Sequence, residues 1–218
     1  MRNMPDSVPY ESESEGLYQW DTASPDEADS FLNVAVLAGA GERGPITLPW
    51  PVPGNPGGFL SFSEAAQWQK FCLSLGLNFV IPEIVAAKFR RAQKLYFLAW
   101  IDFDLIKAGE LVALTALELA LRDRYGDKVK DRRGNMPFAA LLKYLIHDGL
   151  TDDQVPMVRR YCGSIVPLLN GDRTPSLAGI RNRQAHGDPF DGFPVSGLLE
   201  LVRDLIEYAY RDWAAFPE

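Results

Sequence analysis

Residues 99–126 read AWIDFDLIKAGELVALTALELALRDRYG, and this stretch decides the fold class. With the four residues before it, Leu95 to Ile106 is apolar on nearly every side. A helix of that composition belongs in the centre of a bundle, not on its surface. Leu111, Leu114, Leu121 and Tyr125 then recur at helical spacing along one stripe. The spacing predicts a helix from Pro82 to about Lys107 and another from Gly109 to Tyr125, with Gly109 either breaking the two or lying within one long helix.

Working outward, Ser63-Glu64 opens a helix to about Leu75, which Gly76 and Asn78 close. Proline at 82 suits a first helical turn. Further helices are expected at 137–147, 151–168, 177–186 and 197–216. On the N-terminal side, FLNVAVLA at 31–38 and PITLPW at 45–50 read as two strands of a hairpin. The prolines from 49 to 56 read as a stiff linker leading away from it. The expected architecture is all-α. A helical bundle spans 61–218, and an acidic, partly extended N-terminal segment, 1–60, carries a small β-hairpin at 31–50. Gly39 to Gly44 spells GxGxxG, but a dinucleotide site needs a helix to start there. Pro45, Pro49, Pro51, Pro53 and Pro56 forbid one, so the segment reads as a hairpin loop.

The net charge of −7 is unevenly spread. Residues 1–60 hold nine acidic and two basic residues, so the remainder is neutral overall. A broad basic surface is therefore not expected, and any nucleic-acid site must be local. Cys72 and Cys162 are far apart in sequence and form no CxxC, which argues against a zinc site and for a reducing compartment. No apolar run approaches the ~20 residues that span a bilayer. A cytoplasmic protein with no membrane association, metal or cofactor is expected.

The chemistry concentrates in Ser176 to Gly187, SLAGIRNRQAHG. Arg181 offers a permanently charged planar fork suited to phosphate oxygens. Asn182 follows it, and His186 brings an imidazole able to act as acid or base near neutrality. On a straight helix, positions five apart point about 140° from each other. Arg181 and His186 thus converge only if the helix unwinds after Ala185, where Gly187-Asp188-Pro189 ends it, or across a dimer interface. The alternative is a structural ion pair at Arg181 and a helix cap at His186. Glu118 falls on the apolar stripe of the third helix, where a carboxylate needs a partner. That partner is either Arg122, one helical turn on, or Arg181 or Arg183 across the bundle. Asp102 and Asp104 raise the same question, with Lys107 a ready partner for Asp104. His147, at a helix end beside Asp148-Gly149, reads as a cap. Lys128, Lys130, Arg132 and Arg133 form a basic loop that could track a phosphate backbone if the bundle brought it beside Arg181.

Arg181-Asn182-x-x-x-His186, after an apolar helix and before a glycine, resembles the R-x4-6-H signature of HEPN domains. The stretch from Ala99 to Gly126, with its acidic residue at Glu118, is similar to the first helices of that superfamily. The resemblance covers roughly residues 80–215; the first 60 to 75 residues lie outside it. It implies an α-helical bundle that forms a homodimer with both motifs facing one cleft. Many members are metal-independent endoribonucleases of toxin–antitoxin and defence systems, and others only bind nucleotides or partner proteins. Carried onto this chain, the resemblance makes His186 the general acid/base, Arg181 the stabiliser of the transition-state charge and Asn182 a phosphate-positioning group, supported by Glu118, Arg183 and Asp102. The substrate it implies is RNA, and the further partner an antitoxin or regulatory protein. The acidic N-terminal segment would repel RNA if it lay over the cleft, which fits an autoinhibitory or partner-docking arm.

Overall fold

A computed structural model describes residues 32–33, 36–37, 45–77, 81–187 and 192–213. Eight α-helices and one two-stranded antiparallel sheet make up the regular structure of these residues. The strands are β1 (Ile46–Pro49) and β2 (Phe59–Phe62). The longer helices are α1 (Ala65–Ser74), α2 (Glu83–Leu98), α3 (Leu105–Val129) and α4 (Phe138–His147). After them come α5 (Pro156–Tyr161), α6 (Val166–Asn170), α7 (Leu177–Ala185) and α8 (Leu198–Ala209). No described helix is long and apolar enough to cross a membrane.

The hairpin differs from the expected one. The second expected strand forms as β1, but it pairs with Phe59–Phe62, in the register Ile46 to Phe62 and Pro49 to Phe59. The proline-rich stretch is therefore the hairpin's own loop and not a linker leading away. Trp50 N donates to Gly58 O at 2.9 Å, and Val52 and Asn55 exchange backbone hydrogen bonds at 3.0 and 2.8 Å. Of the expected strand at 31–38, Val36 and Leu37 lie in a 3-10 turn, with Val36 N donating to Asn33 O at 3.1 Å. The loop 39–44 and the acidic residues 1–30 lie outside the described residues. Aromatic packing selects the partner. Trp50 and Phe62 both close on Phe71 of α1, with ring centroids 4.9 Å apart in each pair. The sheet is thereby fixed to the helical core and straddles the expected boundary at residue 60.

Glu64 and Gln67 form a reciprocal capping box that starts α1. The break between the long helices falls at residues 99–104, not at Gly109. Asp102 Oδ1 accepts from Asp104 N at 3.2 Å, a local turn that competes with the helix. Gly109 sits inside α3, where an added Cβ would lie 2.7 Å from the Tyr96 ring. It lets α2 and α3 cross closely, so it is a contact residue and not a breaker. The single helix expected at 151–168 is split into a 3-10 turn at Asp152–Gln154, α5 and α6. Pro156 opens α5, and Cys162 at φ 64° with Gly163 at φ 111° ends it. No L-residue helix passes through that backbone.

Helix α3 packs against α2, α4, α7 and α8. Every residue of α8 is buried, charged ones included. Arg203 Nη2 lies 2.7 Å from Asp204 Oδ1 and 3.1 Å from Glu200 Oε1, and Asp204 Oδ2 accepts from Met157 N at 2.7 Å. Arg160 also pairs with Glu200. A helix whose charges close on one another in this way can fill the centre of a bundle.

Candidate functional site

Helix α7 holds the motif at a defined angle. The Ser176 side chain caps its start, accepting from Gly179 N at 3.1 Å. Leu177, Ala178 and Ile180 bury one side. Gly187, at φ 69°, ends it in the left-handed conformation that a glycine adopts without strain. Asp188 and Pro189 lie outside the described residues.

The helix does not unwind before its end. His186 keeps φ −96° and ψ 9°, and its N–H still donates to Asn182 O at 3.0 Å. At about 100° per residue, Arg181 and Gln184 share the side facing α3, whereas Asn182, Arg183 and His186 turn elsewhere. Within this chain Arg181 and His186 therefore do not meet. His186 is exposed, and its imidazole has no partner among the described residues.

Arg181 is anchored. Its Nη2 donates to Glu118 Oε2 at 2.7 Å, and its side chain is 29% exposed. Glu118 Oε1 meets Arg122 Nη2 at 2.6 Å, so the buried carboxylate takes both of its sequence-derived partners at once. A carboxylate bridging two guanidiniums satisfies its own burial and leaves a net positive charge at the surface. Arg181 Nη1 also donates to Asn182 Oδ1 at 3.3 Å, and Arg181 Nε is buried without a partner among the described residues.

A second buried carboxylate, Glu110, anchors the far end of α7 and was not singled out in the sequence. Glu110 Oε2 accepts from Lys107 Nζ at 2.8 Å and from Gln184 Nε2 at 2.7 Å, and Oε1 accepts from Val195 N. Burial pushes the Glu110 carboxyl above the usual range, against the pull of Lys107, Val195 and Gln184. Lys107 thus pairs with Glu110 and not with Asp104.

The remaining expected site residues lie apart. Asp102 is exposed in the α2–α3 turn, and no hydrogen bond ties it to α7 among the described residues. Its helical neighbourhood ends at Leu98, which removes it from the motif. Arg183 points away from Glu118 and lines a separate cleft. Lys128 stacks over the Tyr144 ring at 5.5 Å, and its position is about 15 Å along α3 from Glu118 at 1.5 Å per residue. Lys130, Arg132 and Arg133 are exposed beside it, in a loop tied by Asp131 Oδ1, which accepts from Arg133 N and Asn135 N at 2.8 Å each. Arg122 borders a small cleft with residues 134–137 of this loop, so a broken line of cations joins Arg181 to it. His147 ends α4, with its ring 5.4 Å from Tyr144. Among the described residues, no group of three or more His, Cys, Asp or Glu is placed to hold a metal ion.

No family model, curated protein or solved structure matches this chain.

Proposed function

We propose that this chain is a HEPN-type, metal-independent endoribonuclease that works as a homodimer. The observation that supports it most is the bridged pair Arg181–Glu118–Arg122 beneath the exposed Asn182 and His186. Glu118 holds the guanidinium in one orientation before any substrate arrives. Preorganised charge aimed at a developing phosphorane is usually the largest catalytic contribution. On this reading the two groups, about 140° apart on α7, meet across a twofold interface along its open side.

In that arrangement two copies of His186 flank one RNA phosphate. One takes the proton from the ribose 2′-OH as the oxygen attacks phosphorus. The other gives a proton to the departing 5′-oxygen. The products are a 2′,3′-cyclic phosphate and a 5′-OH. Arg181 stabilises the added negative charge, Asn182 positions the phosphate, and Lys128, Lys130, Arg132 and Arg133 extend the track for the backbone. A toxin or defence role, restrained by an antitoxin or regulatory protein, accords with this chemistry.

A second reading rests on the same ion pair. If Arg181 serves only to hold α7 to α3, the chain is a non-catalytic HEPN-like module that binds a nucleotide or a partner protein. Incubating the purified protein with total RNA in EDTA separates the two. Cleavage is expected from the wild type, falling by about 10²–10⁴-fold in His186→Ala and similarly in Arg181→Ala, with a dimer in light scattering. Cleavage surviving in both variants, or a wild type that cuts nothing, defeats the nuclease reading.

A further inference from the structure

A second site lies on the other side of α7. A cleft of about 630 Å³ opens between the hairpin loop, α5, the turn after it, α6, α7 and the start of α8. That volume is within the range that holds small-molecule ligands. Its walls are apolar, with Met157, Leu168, Ile180 and Leu198 among them. Gly197 keeps the floor open to packing, since a Cβ there would collide with Met157 Cε at 2.3 Å.

The charged side chains lining this cleft are, among the described residues, of one sign. Arg173 and Arg183 both line it and are exposed, and neither guanidinium has an ion pair or side-chain hydrogen bond among the described residues. Among the described residues no carboxylate lines the cleft. The Ser196 hydroxyl lines it too, shielded from solvent and without a partner among the described residues. Ser164 adds another hydroxyl. A buried hydroxyl with no partner is destabilising unless something comes to satisfy it. Two cations over an apolar trough, with no ion-pair partner and no anion beside them among the described residues, suit an anionic head joined to an apolar body.

We infer that this cleft binds a small amphipathic anion, an aromatic or aliphatic carboxylate, sulfonate or phosphate ester, with its head on Arg173 and Arg183 and its body against Ile180 and Leu168. The site is independent of the RNA-cleavage reading. Arg183 lies on α7 two residues from Arg181, so an occupant touches the motif helix from behind.

The probe is 1-anilinonaphthalene-8-sulfonate, titrated into the full chain and followed by fluorescence. Its uncharged relative N-phenyl-1-naphthylamine serves as control. Cys162 lines the cleft and is exposed, whereas Cys72 is fully buried, so the rate of Cys162 modification by Ellman's reagent reports occupancy locally. Saturable one-to-one binding that slows Cys162 modification is expected. The double variant Arg173→Gln/Arg183→Gln should weaken the sulfonate about tenfold, the loss of charge-assisted hydrogen bonds, and leave the neutral amine unchanged. Both arginines are exposed, so unchanged circular dichroism and melting confirm that the fold is intact. Equal sulfonate affinity in wild type and double variant, equal weakening of the neutral amine, Cys162 modified at the same rate under saturating probe, or no binding would each overturn the site.

Discussion

Helices α7 and α8 both carry charge, and they handle it in opposite ways. In α8, Glu200, Arg203 and Asp204 are buried and closed on one another and on Met157 N. In α7, Arg181 is tied to Glu118, whereas Asn182, Arg183 and His186 face outward and Arg183 and His186 have no side-chain partner among the described residues. A charge whose partners are all protein groups holds a structure together. A charge left open at a positioned helix end is available to a ligand. The contrast places closed, structural charge in the centre and open charge at the edge.

Removing one member of the closed network is the harshest test of that contrast. Asp204→Ala strands the Met157 N–H in the interior and leaves the Arg203 guanidinium with Glu200, already shared with Arg160, as its one carboxylate partner among the described residues. A loss of about 3–5 kcal/mol is expected from urea unfolding, as for other buried pairs broken on one side. A loss below about 1 kcal/mol would show that α8's charges are solvated in solution.

The anchor between the two helices gives a smaller effect with a pH signature. The carboxyl of Glu110 titrates higher folded than unfolded, mainly through burial. Its contribution to stability is therefore fully present below the unfolded value and is lost as pH rises through the folded one. Glu110→Gln, which cannot ionise, should fall short of the wild type most in acid and least above neutrality. Urea midpoints at pH 4.5 and 7.5 measure this. A gap between the two proteins that widens towards alkaline pH would rule out the assignment.

The smallest effect expected is at the open edge. His186→Ala should change stability by no more than about 0.5 kcal/mol, as for exposed positions without partners. A larger drop in melting temperature would make His186 a structural cap and move α7 towards the behaviour of α8.

The helical architecture was legible because its signals are strong and local. The apolar run from Leu95, the stripe through Leu114 and Tyr125, and the start signal at Ser63-Glu64 each act within a few residues. Glu118 was legible for the same reason, as a carboxylate misplaced on an apolar stripe. What escaped depended on distant partners. FLNVAVLA is a better strand former than FLSF at 59–62, yet the latter forms β2, because Trp50 and Phe62 meet Phe71 on another element. Lys107 has an acidic residue three positions away on either side, and the turn at Asp102 decides for Glu110 by taking Asp104 off the helix. The divergence of Arg181 and His186 was foreseeable from helical geometry, and the glycine that ends α7 comes one residue too late to undo it.

The central position of α8 has a consequence for how the chain assembles. Arg203 donates to Ser74 O across 129 residues of chain, and Asp204 reaches Met157 across 47. The α2–α3 pair joins neighbouring segments, whereas α8 packs against elements distant along the chain. Closing such long loops slows folding much more than it weakens the folded state. The contacts of α8 are thus the long-range part of the fold, and their closure is expected to weigh on the refolding rate more than on stability.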